Sequence, residues 1–291
     1  MKLALYPGCL MPTEQYAYEM SIRETLPLMG VEIVDLPGFS CCGEPLKSIN
    51  QMLTLHMSAR NLSIADREGI DLLVPCPMCH LALSEAKNIL DGNGEMKKRI
   101  NAKLREEGLE YIGKQRLFHI IDLVHDEIGL DTIRERVKKT LPDLNMAAHY
   151  GCHILRPSEM GRPVDSENPR KMEAILLSLG VRSEDYAEKL DCCGGPLLPN
   201  HPETSLAKTG QKLHAVSEQG FDGMVLACPW CQKMFDSKQT KAAESVGSRA
   251  HVPVLYLTQL MGLAFGIDDA KLGLNLNLSP VDDLGLKGEV E

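Results

Sequence analysis

The sequence predicts an α/β chain built from two copies of one βα-repeating unit, with mostly parallel sheets. Three observations carry this expectation. Short apolar runs closed by glycine or proline alternate with longer segments of helical composition, the pattern of βα units around a parallel sheet. The 291 residues, 44% of them hydrophobic, are enough for two ordinary domains with cores of their own. Ten cysteines fall into two clusters of five, in the same order each time.

The elements follow in order. KLALY (2–6) is a buried strand stopped by Pro7 and Gly8. A helix is expected over 13–29, closed by Gly30, and VEIVDL (31–36) alternates and is β-branched, so it is a strand. Residues 48–69 have helical composition up to Gly69. IDLLVP (70–75) is a strand, CHLALSEAKNIL (79–90) a helix and RLFHII (116–121) a strand. The charged KLREEG (103–108) reads as a solvated helix face. The second half repeats the scheme with NMAAHY (145–150), the polar VRSEDYAEKL (181–190), GMVLAC (223–228) and VPVLYL (252–257) as strands. The boundary is set at LPDLNM (141–146), giving domains 1–143 and 144–291. These are Rossmann-like halves, expected to be related by a pseudo-twofold axis.

The cysteines are Cys9, Cys41, Cys42, Cys76 and Cys79, then Cys152, Cys192, Cys193, Cys228 and Cys231. The first set reads C-x31-CC-x33-C-x2-C and the second C-x39-CC-x34-C-x2-C. Their flanks agree as well: LYPGC with AHYGC, CCGEPL with CCGGPL, and LLVPCPMCH with MVLACPWCQ. This is an internal duplication. Cys9, Cys76 and their copies stand just after a strand, at the carboxyl edge where open α/β sheets collect ligands. The glycines after each CC pair let the chain turn, so that two adjacent side chains can aim at one object instead of opposite faces.

Five thiolates in each half admit several readings. Four suit a zinc ion or a cubane iron–sulfur cluster, but zinc has no use for a fifth and its modules seldom spread ligands over some 70 residues. CPMC and CPWC look like dithiol redox pairs, which leaves the other three cysteines of each set unexplained. Buried free cysteines are the bland alternative. Iron–sulfur ligation accounts for all ten.

Composition narrows the function. The formal charge of −9 argues against nucleic-acid binding. No apolar run approaches the roughly 18 residues of a membrane span, and a cytoplasmic location is expected. In a reducing compartment ten cysteines are thiols and not disulfides. There is no G-x-G-x-x-G after a strand and no P-loop, so no nucleotide, nicotinamide or flavin is expected in this chain.

The doubled C-x31-CC-G…C-x2-C pattern resembles the CCG domain, and over essentially its whole length the chain is similar to the B-subunit family of methanogen heterodisulfide reductases. The resemblance implies that Cys9, Cys41, Cys42, Cys76 and Cys79 ligate one noncubane [4Fe–4S] cluster. It implies that Cys152, Cys192, Cys193, Cys228 and Cys231 ligate a second. Both clusters would flank one S–S bond, each giving one electron, so that the heterodisulfide of coenzyme M and coenzyme B is cleaved to two thiols. The implied partners within such a reductase complex are its iron–sulfur C-type component and its flavin-bearing A-type component. Related CCG-domain proteins serve in lactate, glycolate and glycerol-3-phosphate oxidation, so an electron-transfer component of an organic-acid oxidation complex is the alternative. Many of those relatives carry fused cubane-cluster runs, which this chain lacks.

The substrate carries sulfonate, phosphate and carboxylate groups, and an acidic protein needs local cations for them. Lys47, His80, His153, Arg156, His201 and Lys233 lie near the motifs. His153 and Arg156 are favoured because they follow Cys152, with Lys47 beside the first CCG. Trp230, inside the second C-x2-C, is expected to cover a cluster.

Overall fold

The structure, a computed structural model, describes residues 1–139, 141, 143–160 and 166–285. The first half runs β1 (Lys2–Leu5), α1 (Tyr16–Thr25), β2 (Glu32–Val34), α2 (Gln51–Glu68), β3 (Asp71–Leu73), α3 (Pro77–Gly92), α4 (Gly94–Leu104), β4 (Leu117–Phe118), the short α5 (Ile120–Asp122) and α6 (Leu130–Arg136). The second runs β5 (Met146–His149), α7 (Cys152–Leu155), α8 (Lys171–Ser178), α9 (Pro202–Glu218), β6 (Gly223–Leu226), α10 (Pro229–Gln232), α11 (Gln239–Ser245), β7 (Val254–Tyr256) and α12 (Leu257–Ala264).

Both sheets are parallel throughout. The first has the order β2-β1-β3-β4, with Ala4 opposite Val34 on one side and Leu72 on the other. The second has the order β5-β6-β7, with Val225 between Ala148 and Leu255. Central strands of such sheets are covered on both faces and need apolar residues at every position. Leu3, Ala4 and Leu5 of β1, and likewise Met224, Val225 and Leu226 of β6, are fully buried.

Two expected strands are corrected. In RLFHII the pairing ends at Phe118, because His119 caps the following turn, its Nδ1 accepting from Ile121 N–H at 3.4 Å. VRSEDYAEKL forms no strand; it contributes a single bridge, Asn145 to Arg182. Beyond that bridge the Asn145 side chain takes the place of a backbone partner, its Oδ1 accepting from Glu184 N–H. The chain then turns so that the carbonyls of Glu188, Lys189 and Asp191 converge on the Lys212 ammonium. KLREEG straddles the end of α4 and a tight turn, with Arg105, Glu106 and Glu107 exposed, as a solvated face requires.

The halves share one apolar core. Leu3, Ile22 and Ile121 of the first belong to the same buried cluster as Met146, Leu226 and Leu260 of the second. A smaller cluster lies under α2, α3 and α4. Helices α1 and α12 cross the junction, where Ser21 Oγ and Thr258 Oγ1 stand 2.6 Å apart and the Tyr256 hydroxyl donates to Gln15 Oε1 at 2.8 Å. Lys171 reaches back from α8 to Asp122 and Asp126, at 2.7 and 2.6 Å.

Candidate metal centres

All ten cysteines gather at the carboxyl edges of the two sheets. Cys76 is the residue before α3 and Cys228 the residue before α10, each followed by a proline, while Cys152 is the first residue of α7. Proline suits the first turn of a helix, where its missing N–H is not needed. The peptide N–H groups of Met78 and Cys79, free at the start of α3, point at the Cys76 sulfur.

The CC pairs sit on turns that glycine alone makes cheaply. Gly194 has φ +84°, and a Cβ there would lie 2.7 Å from the Ser205 carbonyl oxygen. The turn aims the N–H of Gly194 at Cys192 Sγ and that of Gly195 at Cys193 Sγ, both at 3.4 Å. Gly43 repeats the arrangement, its N–H 3.4 Å from Cys41 Sγ.

Two pairs of helix hydroxyls hold these turns from behind. On α2, Thr54 Oγ1 donates to Gly43 O at 2.9 Å and Ser58 Oγ to Cys42 O at 2.8 Å. On α9, Ser205 Oγ donates to Gly194 O at 2.9 Å and Thr209 Oγ1 to Cys193 O at 2.7 Å. Sequence reasoning missed these four residues. The signal was there: each hydroxyl stands the same number of residues beyond its CCG turn in both halves.

The sulfurs form one row. Within the first set Cys9 neighbours Cys41, Cys41 neighbours Cys42, Cys42 neighbours Cys79 and Cys79 neighbours Cys76. Within the second, Cys228 neighbours Cys231, then come Cys193, Cys192 and Cys152, the last pair 3.9 Å apart. The sets meet where the Cys76 and Cys228 sulfurs adjoin. The six middle cysteines are buried, whereas Cys9, Cys41, Cys152 and Cys192 at the two ends are half-buried, and none is in a disulfide.

Ionisation is uneven along the row: Cys41, Cys76 and Cys192 are held below the ordinary thiol range and the other seven sulfurs are pushed above it. Cys41 is held far below the ordinary thiol range by hydrogen bonds from Cys42 and then Cys9, and Cys192 likewise by Cys152 and Cys193. Cys228 is pushed well up by burial, and Cys79 by its contacts with Cys42 and Cys76. Sulfurs this close suppress one another's ionisation, and only cations brought among them make every one a ligand. A single ion suits the arrangement poorly. Among the described residues no three His, Cys, Asp or Glu side chains converge as one metal ion requires. Five thiols in each set also exceed the four that a single zinc ion takes.

The chain resembles known proteins over nearly its whole length. The sequence pattern of the CCG family, described as "Cysteine-rich domain", matches residues 3–84 and again 146–236. The chain belongs to the CCG family. Within it, the chain is 35% identical over 280 residues to the B subunit of the ferredoxin/F420H2-dependent CoB–CoM heterodisulfide reductase of Methanosarcina acetivorans, covering 95% of this chain and 93% of that one. It is 31% identical over 285 residues to the 8-methylmenaquinol:fumarate reductase membrane anchor subunit of Wolinella succinogenes, covering 98% and 99%. A crystal structure of a hypothetical Helicobacter pylori protein shares the CCG chain's fold, with a TM-score of 0.75 at 20% identity over 96% of this chain and 52% of its own. No helix among the described residues is long and apolar enough to cross a membrane.

The candidate substrate contacts are placed unevenly around the CCG sulfurs. His153 is at the row's end, its Nδ1 3.2 Å from Cys152 Sγ. Arg156 is exposed and paired with Glu167 at 3.0 Å. Lys47 is held by Glu85 and lies 3.6 Å from Glu44, on the wall of a cleft between α2 and α3 that includes Met160. Lys233 pairs with Glu14 across the two halves and lies over Trp230, which packs against both cores. His80 is buried edge-on to His119, and His201 is exposed just before α9.

Proposed function

We propose that each pentad holds one noncubane [4Fe–4S] cluster and that the protein is the disulfide-reducing B-type component of a heterodisulfide reductase. The reaction is R–S–S–R′ + 2 e⁻ + 2 H⁺ → R–SH + R′–SH, with coenzyme M and coenzyme B as the two thiols. The observation that carries this reading is the junction of Cys76 and Cys228, which brings two five-sulfur sets side by side. Bound clusters supply electrons singly, and a disulfide needs two. This chain's residues do the rest. Ten cysteines hold the iron, the CCG turns donate N–H groups to the sulfurs, and His153, Arg156 and Lys47 receive the anionic ends of the substrate, which displace Glu167 from Arg156 and Glu85 from Lys47. The electrons come from the iron–sulfur C-type component of the complex, fed in turn by its flavin-bearing A-type component. Full-length similarity to a protein named for heterodisulfide reductase supports the assignment.

A second reading is favoured by the relative named for fumarate reductase: an electron-transfer component of an organic-acid redox complex. The two are separated by adding the heterodisulfide to the oxidised, anaerobically purified protein. A new paramagnetic signal specific to that disulfide supports the reductase. Iron and sulfide in the protein with no response to any disulfide supports electron transfer alone. Zinc in place of iron ends both.

A further inference from the structure

The two sulfur sets are built as copies, yet the groups behind them differ in charge. Asn61 stands 19 residues beyond Cys42, and Lys212 stands 19 beyond Cys193. Tyr6 precedes Cys9 by three residues, and His149 precedes Cys152 by three. All four side chains are buried, Lys212 to 2% exposure.

Behind the first set the two groups are neutral. Asn61 Oδ1 accepts from Ser40 N–H at 2.9 Å and its Nδ2 donates to Cys41 O at 3.2 Å. The Tyr6 hydroxyl donates to Ser40 O at 2.6 Å. Behind the second set Lys212 Nζ donates to three carbonyls, those of Glu188, Lys189 and Asp191, at 2.7, 3.0 and 3.2 Å. Three donors belong to an ammonium and not to a neutral amine, so the geometry itself calls for a positive charge. Among the described residues no carboxylate pairs with Lys212, whereas the other buried lysine, Lys189, is neutralised by Glu173 and Asp185. Lys212 therefore places a cation with no ion-pair partner among the described residues one residue from Cys192. In place of the Tyr6 phenol, His149 sets Nε2 3.2 Å from Cys231 Sγ. A ligating thiolate can only accept, so Nε2 carries the proton. His149 Nδ1 is buried with no partner among the described residues, consistent with a ring fixed by its sulfur contact.

Added negative charge on a cluster is stabilised by hydrogen bonds to its sulfurs and by nearby cations, more strongly where water is excluded. We infer that the two centres are unequal: Lys212 and His149 give the second centre the higher reduction potential, so that a one-electron iron–sulfur donor fills it before the first. The inference rests on the proposed clusters. Lys212 acts through the carbonyls it holds and through its charge, as a positioning residue.

The test is an anaerobic redox titration followed by electron paramagnetic resonance. Each centre is read alone, in a Cys42→Ser or a Cys193→Ser background. The second centre reduces at the higher potential. Lys212→Gln, which keeps two N–H donors and loses the charge, moves its one-electron equilibrium at least tenfold toward the oxidised form, about 59 mV, and leaves the first centre in place. Lys212→Arg keeps the charge and stays near the unsubstituted protein. If Lys212→Gln loads iron poorly, His149→Leu shifts the second centre in the same direction. Equal potentials in the two centres, or equal shifts in Lys212→Gln and Lys212→Arg, overturn the inference while iron content shows the clusters intact. An unsubstituted protein without iron overturns the cluster assignment itself, and this inference with it.

Discussion

Tyr18 of the first half and Tyr256 of the second stack ring on ring, centroids 4.0 Å apart and planes within 4°. Burial, and then the nearby Cys76 and Cys228, push both phenols well above the usual range. The Tyr18 hydroxyl donates to Pro75 O, one residue before Cys76, at 3.3 Å. The stack therefore joins the halves and ties the first of them to the residue before Cys76.

Tyr18→Ala removes a fully buried ring and leaves a cavity at the junction. Large aromatic-to-alanine changes in cores cost about 3–5 kcal/mol, and this one is expected in that range by denaturant unfolding of the iron-loaded protein. Tyr256→Phe keeps the stack and loses the hydroxyl with its bond to Gln15 Oε1, at about 1–3 kcal/mol for the buried group left unpaired. Equal losses from the two variants would show that the ring contact contributes little.

The helix hydroxyls give a prediction confined to one half at a time. Thr209→Val leaves Cys193 O without its donor, and Ser205→Ala removes one of the two donors to Gly194 O, which keeps the Leu197 N–H. Each is expected to cost about 1–3 kcal/mol and to lower iron retention by the second centre alone. Thr54→Val and Ser58→Ala do the same to the first. Iron per chain after mild chelation measures it, with half the iron retained in either pair of variants. Loss of all iron from one pair would mean that the turns do not act independently.

Much of this was legible in the sequence because the duplication states it twice. The strands KLALY, IDLLVP, NMAAHY and GMVLAC each carry an unbroken apolar run, LALY, LLV, MAA and MVLA, which a strand covered on both faces demands. The cysteine spacing survives in both copies. VRSEDYAEKL misled because a polar stretch was assigned by position in the repeat, while Asn145 and Lys212 capture its backbone groups instead of a neighbouring strand. Thr54, Ser58, Ser205 and Thr209 escaped because a hydroxyl inside a helix usually bonds its own helix. Lys212 was hidden for a related reason: in QKLHAVSE it reads as a solvated lysine, and only the fold turns that side of α9 inward.

Gly194 separates conformational strain from collision. Gly220 also has positive φ, +73°, but a Cβ there meets nothing within 4 Å. Gly220→Ala carries only the left-handed penalty, about 1–2 kcal/mol. Gly194→Ala adds a contact of 2.7 Å with the Ser205 carbonyl, a backbone atom that cannot swing aside. It is expected to cost more than Gly220→Ala and to empty the second centre, whereas Gly220→Ala keeps full iron. Matching stabilities and iron contents in the two variants would refute the close approach of α9 to the CCG turn.

The paired-centre reading makes its sharpest demand on stoichiometry. Cys42 and Cys193 are buried counterparts in the middle of their sets, each one step from the CCG turn and each neighbouring the last cysteine of its own C-x2-C. Cys42→Ala removes a ligand from the first centre only, and Cys193→Ala from the second only. Each variant is expected to retain about half the iron and acid-labile sulfide of the unsubstituted protein, since in the paired-centre reading the two centres share no ligand. Turnover behaves differently. A disulfide needs two electrons, and a single remaining centre delivers one, so heterodisulfide reduction with an artificial one-electron donor falls to background in both variants. Half the iron with half the activity would mean that each centre works alone; half the iron with full activity from Cys193→Ala would assign catalysis to the first centre and end the paired mechanism.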